Sequence, residues 1–150
     1  MADFSKFDQR SNSDQGVWFD ILHPASGDPI SDGGKVSRFL IRGAASREAQ
    51  RKLREAEKAA VKSSGDDEVQ NMDQVHEMMI SAAVPFIIDF QNVEIEGKKL
   101  TGSDEDVRRF LDLTYPVMSP SDDGYELANN PFAKQAIDNV AKHEAFLGNG

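Results

Sequence analysis

The chain has 150 residues, 39% of them apolar, and 26 acidic against 17 basic side chains give it a net charge of -9. That length suits one domain with a modest core. The acidic balance argues against general nucleic-acid binding, and the absence of cysteine excludes disulfides, thiolate zinc sites and thiol catalysis. No apolar run reaches the roughly 18 residues that span a bilayer. The longest, 80–88, is interrupted by Ser81 and Pro85, and residues 1–10 lack the apolar stretch of a secretory signal.

Residues 1–15 are polar and predict a mobile arm, with Phe4 and Phe7 as its odd members. Residues 17–23 are rich in β-formers and predict a strand, closed by Pro and Gly at 24–29. A second strand is expected over 35–42. Its alternation places Val36, Arg38, Leu40 and Arg42 on one face and Phe39 and Ile41 on the other. Two strands alone are marginal, so this sheet needs a packed helix or a further strand.

Ser46 opens a predicted helix running to Ser63, with Ala49, Leu53, Ala56 and Ala60 as a thin apolar stripe, followed by a loop at 63–67. The next helix carries Met72, Val75, Met79, Ala82 and Phe86 at spacings of 3, 4, 3 and 4, widened by Val69, Met78, Ile80 and Val84. Pro85 should kink or end it. Methionines at this spacing read as core rather than as an adaptable binding surface.

Residues 92–100 form a short excursion. Ser103 with Asp106 resembles a capping box and opens a helix with Val107, Phe110, Leu111 and Leu113 inward, stopped by Tyr115 and Pro116. A polar loop, or at most a helical turn, is expected over 119–130. The last predicted helix covers 131–146, with Phe132, Ala136, Ile137, Val140 and Phe146 on or beside its apolar face.

Charge is uneven along the chain. Residues 1–34 hold two bases and six acids, residues 35–62 nine bases and three acids, and residues 63–150 six bases and seventeen acids. The basic middle segment is a solvated helix face or a binding strip.

No catalytic template closes. There is no P-loop and no nucleophile elbow, and Asp32-Gly33-Gly34-Lys35 reads as a hairpin turn. His76-Glu77 begins like a helical zinc motif, but Ile80 stands where the second histidine belongs. His23 and His143 supply no partner for it in sequence. The acid pairs lie in loops or helix starts, where they solvate or favour the helix dipole. The expectation is therefore no enzyme, no metal and no cofactor.

Two stretches read together carry a resemblance. Residues 16–62 run as an aromatic strand, an "HPASG" turn, a strand with "FLIRG" and the basic helix "SREAQRKLREAEKAA". Residues 77–118 run as an apolar helix with Phe90 near its end, a Gly-Lys segment, a capped helix and a Pro-containing close. The chain then ends in "NVAKHEAFLG". This order resembles the tail assembly chaperones of long-tailed bacteriophages, over roughly two-thirds of the chain. Phe90 stands where that family tends to have Trp, and the 119–130 segment is longer than expected.

The resemblance implies a non-enzymatic protein of the host bacterial cytoplasm. It would bind the tape-measure protein, aid assembly of the tail-tube protein, and touch neither nucleic acid nor membrane. Self-association stays open. The alternative is a structural neck or tail-completion connector, reached through the N-terminal arm.

The expected architecture is α+β. It comprises a flexible arm at 1–15 and one domain at 16–150, divided into a β-hairpin or small sheet over 16–43 and a mainly helical region of about four helices over 46–147. Trp18 and Phe39 are the aromatic candidates for partner binding, and Arg47, Arg51 and Arg54, at spacings of 4 and 3, are the basic ones.

Overall fold

The computed structural model describes residues 1–61 and 71–147. A 3-10 turn at Phe4–Phe7 leads into α1 (Gln9–Gln15). The segment expected as an arm thus carries a helix, α1, that touches the rest of the chain. Asp8 caps it, accepting from the Ser11 N–H at 3.1 Å. Ser13 is buried, and its carbonyl accepts from the Gly43 N–H at 3.2 Å. The helix buries one serine and no apolar side chain, so apolar periodicity carries no trace of it.

Gly16 turns the chain into β1 (Val17–Asp20) with a φ of +81°, hemmed in by Leu40, Ile88 and the Ile41 carbonyl. β2 (Ser31–Asp32) and β3 (Lys35–Val36) form a hairpin. Gly33 and Gly34 close it with φ of 58° and 81°, the mirror-image turn that suits strand twist. β4 (Arg38–Ile41) pairs antiparallel with β1, Trp18 opposite Leu40 and Phe19 opposite Phe39. Phe39 and Ile41 are fully buried while Arg38 and Leu40 stay partly exposed, the alternation read from the sequence.

α2 (Arg47–Val61) is capped by Ser46, which accepts from the Ala49 N–H at 3.1 Å. Along its expected stripe Ala49 is buried and Ala56 exposed. The side chain of Ala60, residues 62–63 of that helix, the loop at 63–67 and Val69 lie outside the described residues.

α3 (Met72–Ala83) starts from a reciprocal capping box between Asn71 and Gln74. Its buried line is His76, Ile80 and Ala83. The expected line is rotated: Ala82 is exposed, because the polar His76 holds an inner position that a count of apolar residues skips. Pro85 sits in a 3-10 turn at Val84–Phe86, and β5 (Ile87–Gln91) follows at once. Missing its N–H, Pro85 ends the helical ladder, and the β-branched pair Ile87-Ile88 continues as strand. β5 pairs with β4, so the sheet order is β1-β4-β5 and the hairpin gains the third strand it needs.

β6 (Glu94–Ile95) and β7 (Lys98–Lys99) form a small hairpin. In α4 (Asp104–Leu111) Ser103 accepts from the Asp106 N–H at 3.2 Å, while the Asp106 carboxylate turns to the Thr101 N–H at 2.9 Å. The cap is present without the reciprocal bond. Val107, Phe110 and Leu111 are buried, but the helix ends at Leu111 and leaves Leu113 57% exposed, against expectation.

β8 (Met118–Ser121) and β9 (Gly124–Leu127) make a hairpin where a loop was expected, turned through Asp122 and Asp123. α5 (Phe132–Val140) and a 3-10 turn at His143–Phe146 close the described chain. The fold over the described residues is thus mixed α+β, with five α-helices and small antiparallel sheets. Four of those helices, α2 to α5, lie in the region at 46–147, together with the strands β5 to β9, which the sequence does not announce.

The inner face of the sheet meets α4 and α5 through aromatic rings. Phe110 is central: its ring lies 4.6 Å from Phe132 in a stacked pair, 4.8 Å from Phe90, and 6.4 Å from Phe39 edge-on. This cluster fixes which sheet face is covered and leaves the other outward. No described helix is long and apolar enough to cross a membrane.

Candidate functional site

Pleating sends every second residue of the central sheet to the outer face. Trp18, Leu40 and Asp89 stand in one row across the three strands, and Asp20, Arg38 and Gln91 in the next. Trp18 is 42% exposed, a large apolar surface to leave in water. The Arg38 guanidinium and the Asp20 carboxylate pair at 2.8 Å beside it.

The hairpins β2–β3 and β6–β7 flank this face and make an open groove of about 700 Å³. Trp18 and Asp89 line it from the sheet, Asp32 and Lys35 from one hairpin, Glu94 and Lys99 from the other. The lining mixes both charge signs around the exposed ring of Trp18 and the buried Phe90. Such a surface suits contact with another polypeptide better than it suits a small reactant enclosed from water.

The five residues expected to bind a partner part company in the structure. Phe39 is 0% exposed and belongs to the core, which corrects its place among the binding candidates. It faces inward because it shares a parity with Ile41, the reverse of Trp18. Arg47, Arg51 and Arg54 are exposed on α2. Arg51 is held between Glu48 and Glu55, the latter at 2.8 Å. The hydrogen bond from Arg51 holds the Glu48 carboxyl below the usual range and raises the guanidinium in turn. Its charge is therefore matched within the helix, and the basic strip is weaker than its composition suggests.

Sequence reasoning passed over the set around His76. Its Nε2 lies 2.7 Å from the Asp112 carboxylate, and its ring packs 4.9 Å from Tyr115. Tyr115 donates to Asp73 at 2.5 Å, and this bond raises the phenol above its ordinary range. Among the described residues the hydrogen-bond partner of His76 is Asp112, and no serine or threonine hydroxyl bonds to it. The set ties α3 to the end of α4. A polar residue at the His76 position of an apolar helix was the signal available.

His23 caps its own turn: Nδ1 accepts from the Ala25 and Ser26 N–H groups at 3.1 and 3.2 Å. The side chain of His143 lies outside the described residues. Among the described residues no three His, Cys, Asp or Glu side chains gather closely enough to hold a metal ion. Comparison with protein-family models, with curated proteins and with solved structures finds no match to the chain.

Proposed function

We propose that the chain is a non-enzymatic protein-binding protein that acts as a tail assembly chaperone in the host bacterial cytoplasm, holding the tape-measure protein and aiding tail-tube assembly. The observation that carries the reading is Trp18, the single tryptophan, standing 42% exposed on the uncovered face of the sheet at the mouth of an open groove. Aromatic anchors on otherwise polar surfaces are the usual centres of protein interfaces. The order of two paired strands, a basic helix, an apolar helix, a capped helix and a closing helix also supports the resemblance.

Co-expression tests it. The tape-measure protein should stay in the soluble fraction when made with this chain and aggregate when made alone. An equal soluble yield in both cases would sink the proposal.

The connector reading keeps one observation in its favour, the exposure of Phe4 (72%) and Phe7 (49%) ahead of α1. The reach it required of residues 1–15 is shortened by the docking of α1. Mass spectrometry of purified particles separates the two: abundance in the particle supports the connector, and absence supports the chaperone.

A further inference from the structure

We propose that the outer edge of β1 takes an extended acidic peptide of another protein, which adds as a strand beside α5 and sets a carboxylate on Lys142. This deepens the protein-binding reading and rests on it.

Parity defines the edge. The Ile21 N–H donates to the Ser37 carbonyl at 2.9 Å, and Phe19 stands opposite Phe39, so the odd residues of this strand turn their backbone groups toward β4. The even residues Trp18, Asp20 and Leu22 turn theirs the other way. At Leu22 the position is already filled. The Gln135 side-chain amide accepts from the Leu22 N–H at 2.9 Å and donates to its carbonyl at 2.8 Å. A primary amide presents the same donor and acceptor as a peptide group, so this edge already holds one strand mimic.

The two positions that follow, Asp20 and Trp18, have no backbone hydrogen-bond partner among the described residues. The opposite edge of the sheet is closed. There the Phe90 N–H donates to the Asp89 carboxylate at 2.8 Å, and Gly102 lies directly on the Ile88 carbonyl. Unpaired edges invite pairing with another chain, and this fold blocks one edge and leaves the other.

A groove of about 300 Å³ runs along the open edge between β1 and α5, lined by Phe19, Leu22, Gln135 and Lys142 among others. A strand edge facing a helix is a recurrent geometry for binding extended peptides: backbone bonds supply affinity and the groove receives alternate side chains.

Charge chooses the peptide. Both carboxylates of the groove are engaged, Asp20 with Arg38 at 2.8 Å and Asp138 with Lys134 at 2.6 Å. The Lys142 ammonium stands 5.5 Å over the Phe19 ring, and no carboxylate among the described residues pairs with it. An acidic side chain of the added strand, on the face that Phe19 occupies, would complete it.

The probe is acetyl-Val-Thr-Glu-Val-Thr-amide, titrated into isotope-labelled chain at millimolar concentration and followed by amide exchange. The Trp18 and Asp20 amides should exchange about tenfold more slowly with the peptide bound. The same peptide with Lys for Glu should bind about fivefold more weakly, Lys142→Glu should reverse that order, and a backbone N-methylated peptide should not protect either amide. Unchanged exchange at Trp18 and Asp20 overturns the proposal, as does equal binding of the N-methylated peptide. Protection that grows with protein concentration and needs no peptide would assign the edge to a second copy of this chain instead. Binding of the tape-measure protein with both amides still exchanging freely would remove the edge and leave the protein-binding reading standing.

Discussion

Gln135 on α5 pairs with the backbone of Leu22 through both ends of its side-chain amide, at 2.9 and 2.8 Å, and its nitrogen also donates to the Asn130 carbonyl at 2.8 Å. One 3% exposed glutamine thereby ties the last helix to the strand segment after β1, across most of the chain. Gln135→Ala leaves the Leu22 groups without partners and should cost about 2–3 kcal/mol in urea unfolding. Gln135→Glu keeps an acceptor for the Leu22 N–H but sets a carboxylate against two carbonyls, so it should be at least as destabilising.

The aromatic cluster sets a second expectation. Phe110 touches the rings of Phe39, Phe90 and Phe132, so Phe110→Ala removes the centre of the contact between sheet and helices. A loss of about 3–5 kcal/mol should appear in denaturant unfolding. Leu113→Ala, three residues on but exposed, should stay within about 0.5 kcal/mol of the parent.

Gly102 is required by contact rather than by its own backbone angles, since a Cβ there would overlap the Ile88 carbonyl. Gly102→Ala must displace β5 or the 100–103 segment and should destabilise by about 1–3 kcal/mol. Gly97 differs, having open space around it and a φ of +78°. Gly97→Ala should cost about 1–2 kcal/mol through conformation alone, with the contacts of β5 unchanged. Amide shifts of β5 distinguish the two, moving in the first variant only.

Acid sensitivity should trace partly to Asp14. Its carboxylate accepts from the Ser46 hydroxyl at 2.6 Å and from the Glu48 N–H at 3.2 Å, joining α1 to the start of α2. The Ser46 hydrogen bond, with the backbone groups behind it, holds Asp14 below the usual carboxylate range. A folded value below the unfolded one means the contribution is complete above about pH 4 and is lost as the pH falls through the folded value. Asp14→Asn should flatten the fall of urea midpoints below about pH 4 and leave the slope near neutral pH unchanged. A parallel acid profile in the variant would contradict this.

What was legible in the sequence followed strong local signals. The parity of β4, the glycine turn at Gly33 and Gly34, the Ser46 and Ser103 caps and the inward Phe110 are each set by a few adjacent residues. β5 was hidden because Phe86 fits the helical spacing of α3, so the pattern ran on through Pro85. The hairpin of β8 and β9 is hidden by its polarity, since its partly buried positions are Ser119, Ser121 and Leu127 and no apolar alternation marks it. α1 left no apolar trace at all. Trp18 stands out by residue type, but its exposure differs from that of Phe39 through the register of β1 against β4, which sets Trp18 opposite Leu40 and which residue type does not give. The Leu22–Gln135 pair lies 113 residues apart in the chain, beyond the reach of any local pattern.

The central claim, protein binding through the outer face of the sheet, is tested most directly by capture of the tape-measure protein on immobilised wild-type chain, Trp18→Ala and Arg51→Glu. The wild type should retain it, Trp18→Ala should weaken retention by about 30-fold as loss of a central anchor does, and Arg51→Glu should change it little because that charge is already matched by Glu48 and Glu55. No retention by the wild type, or full retention by a folded Trp18→Ala chain, would contradict the account.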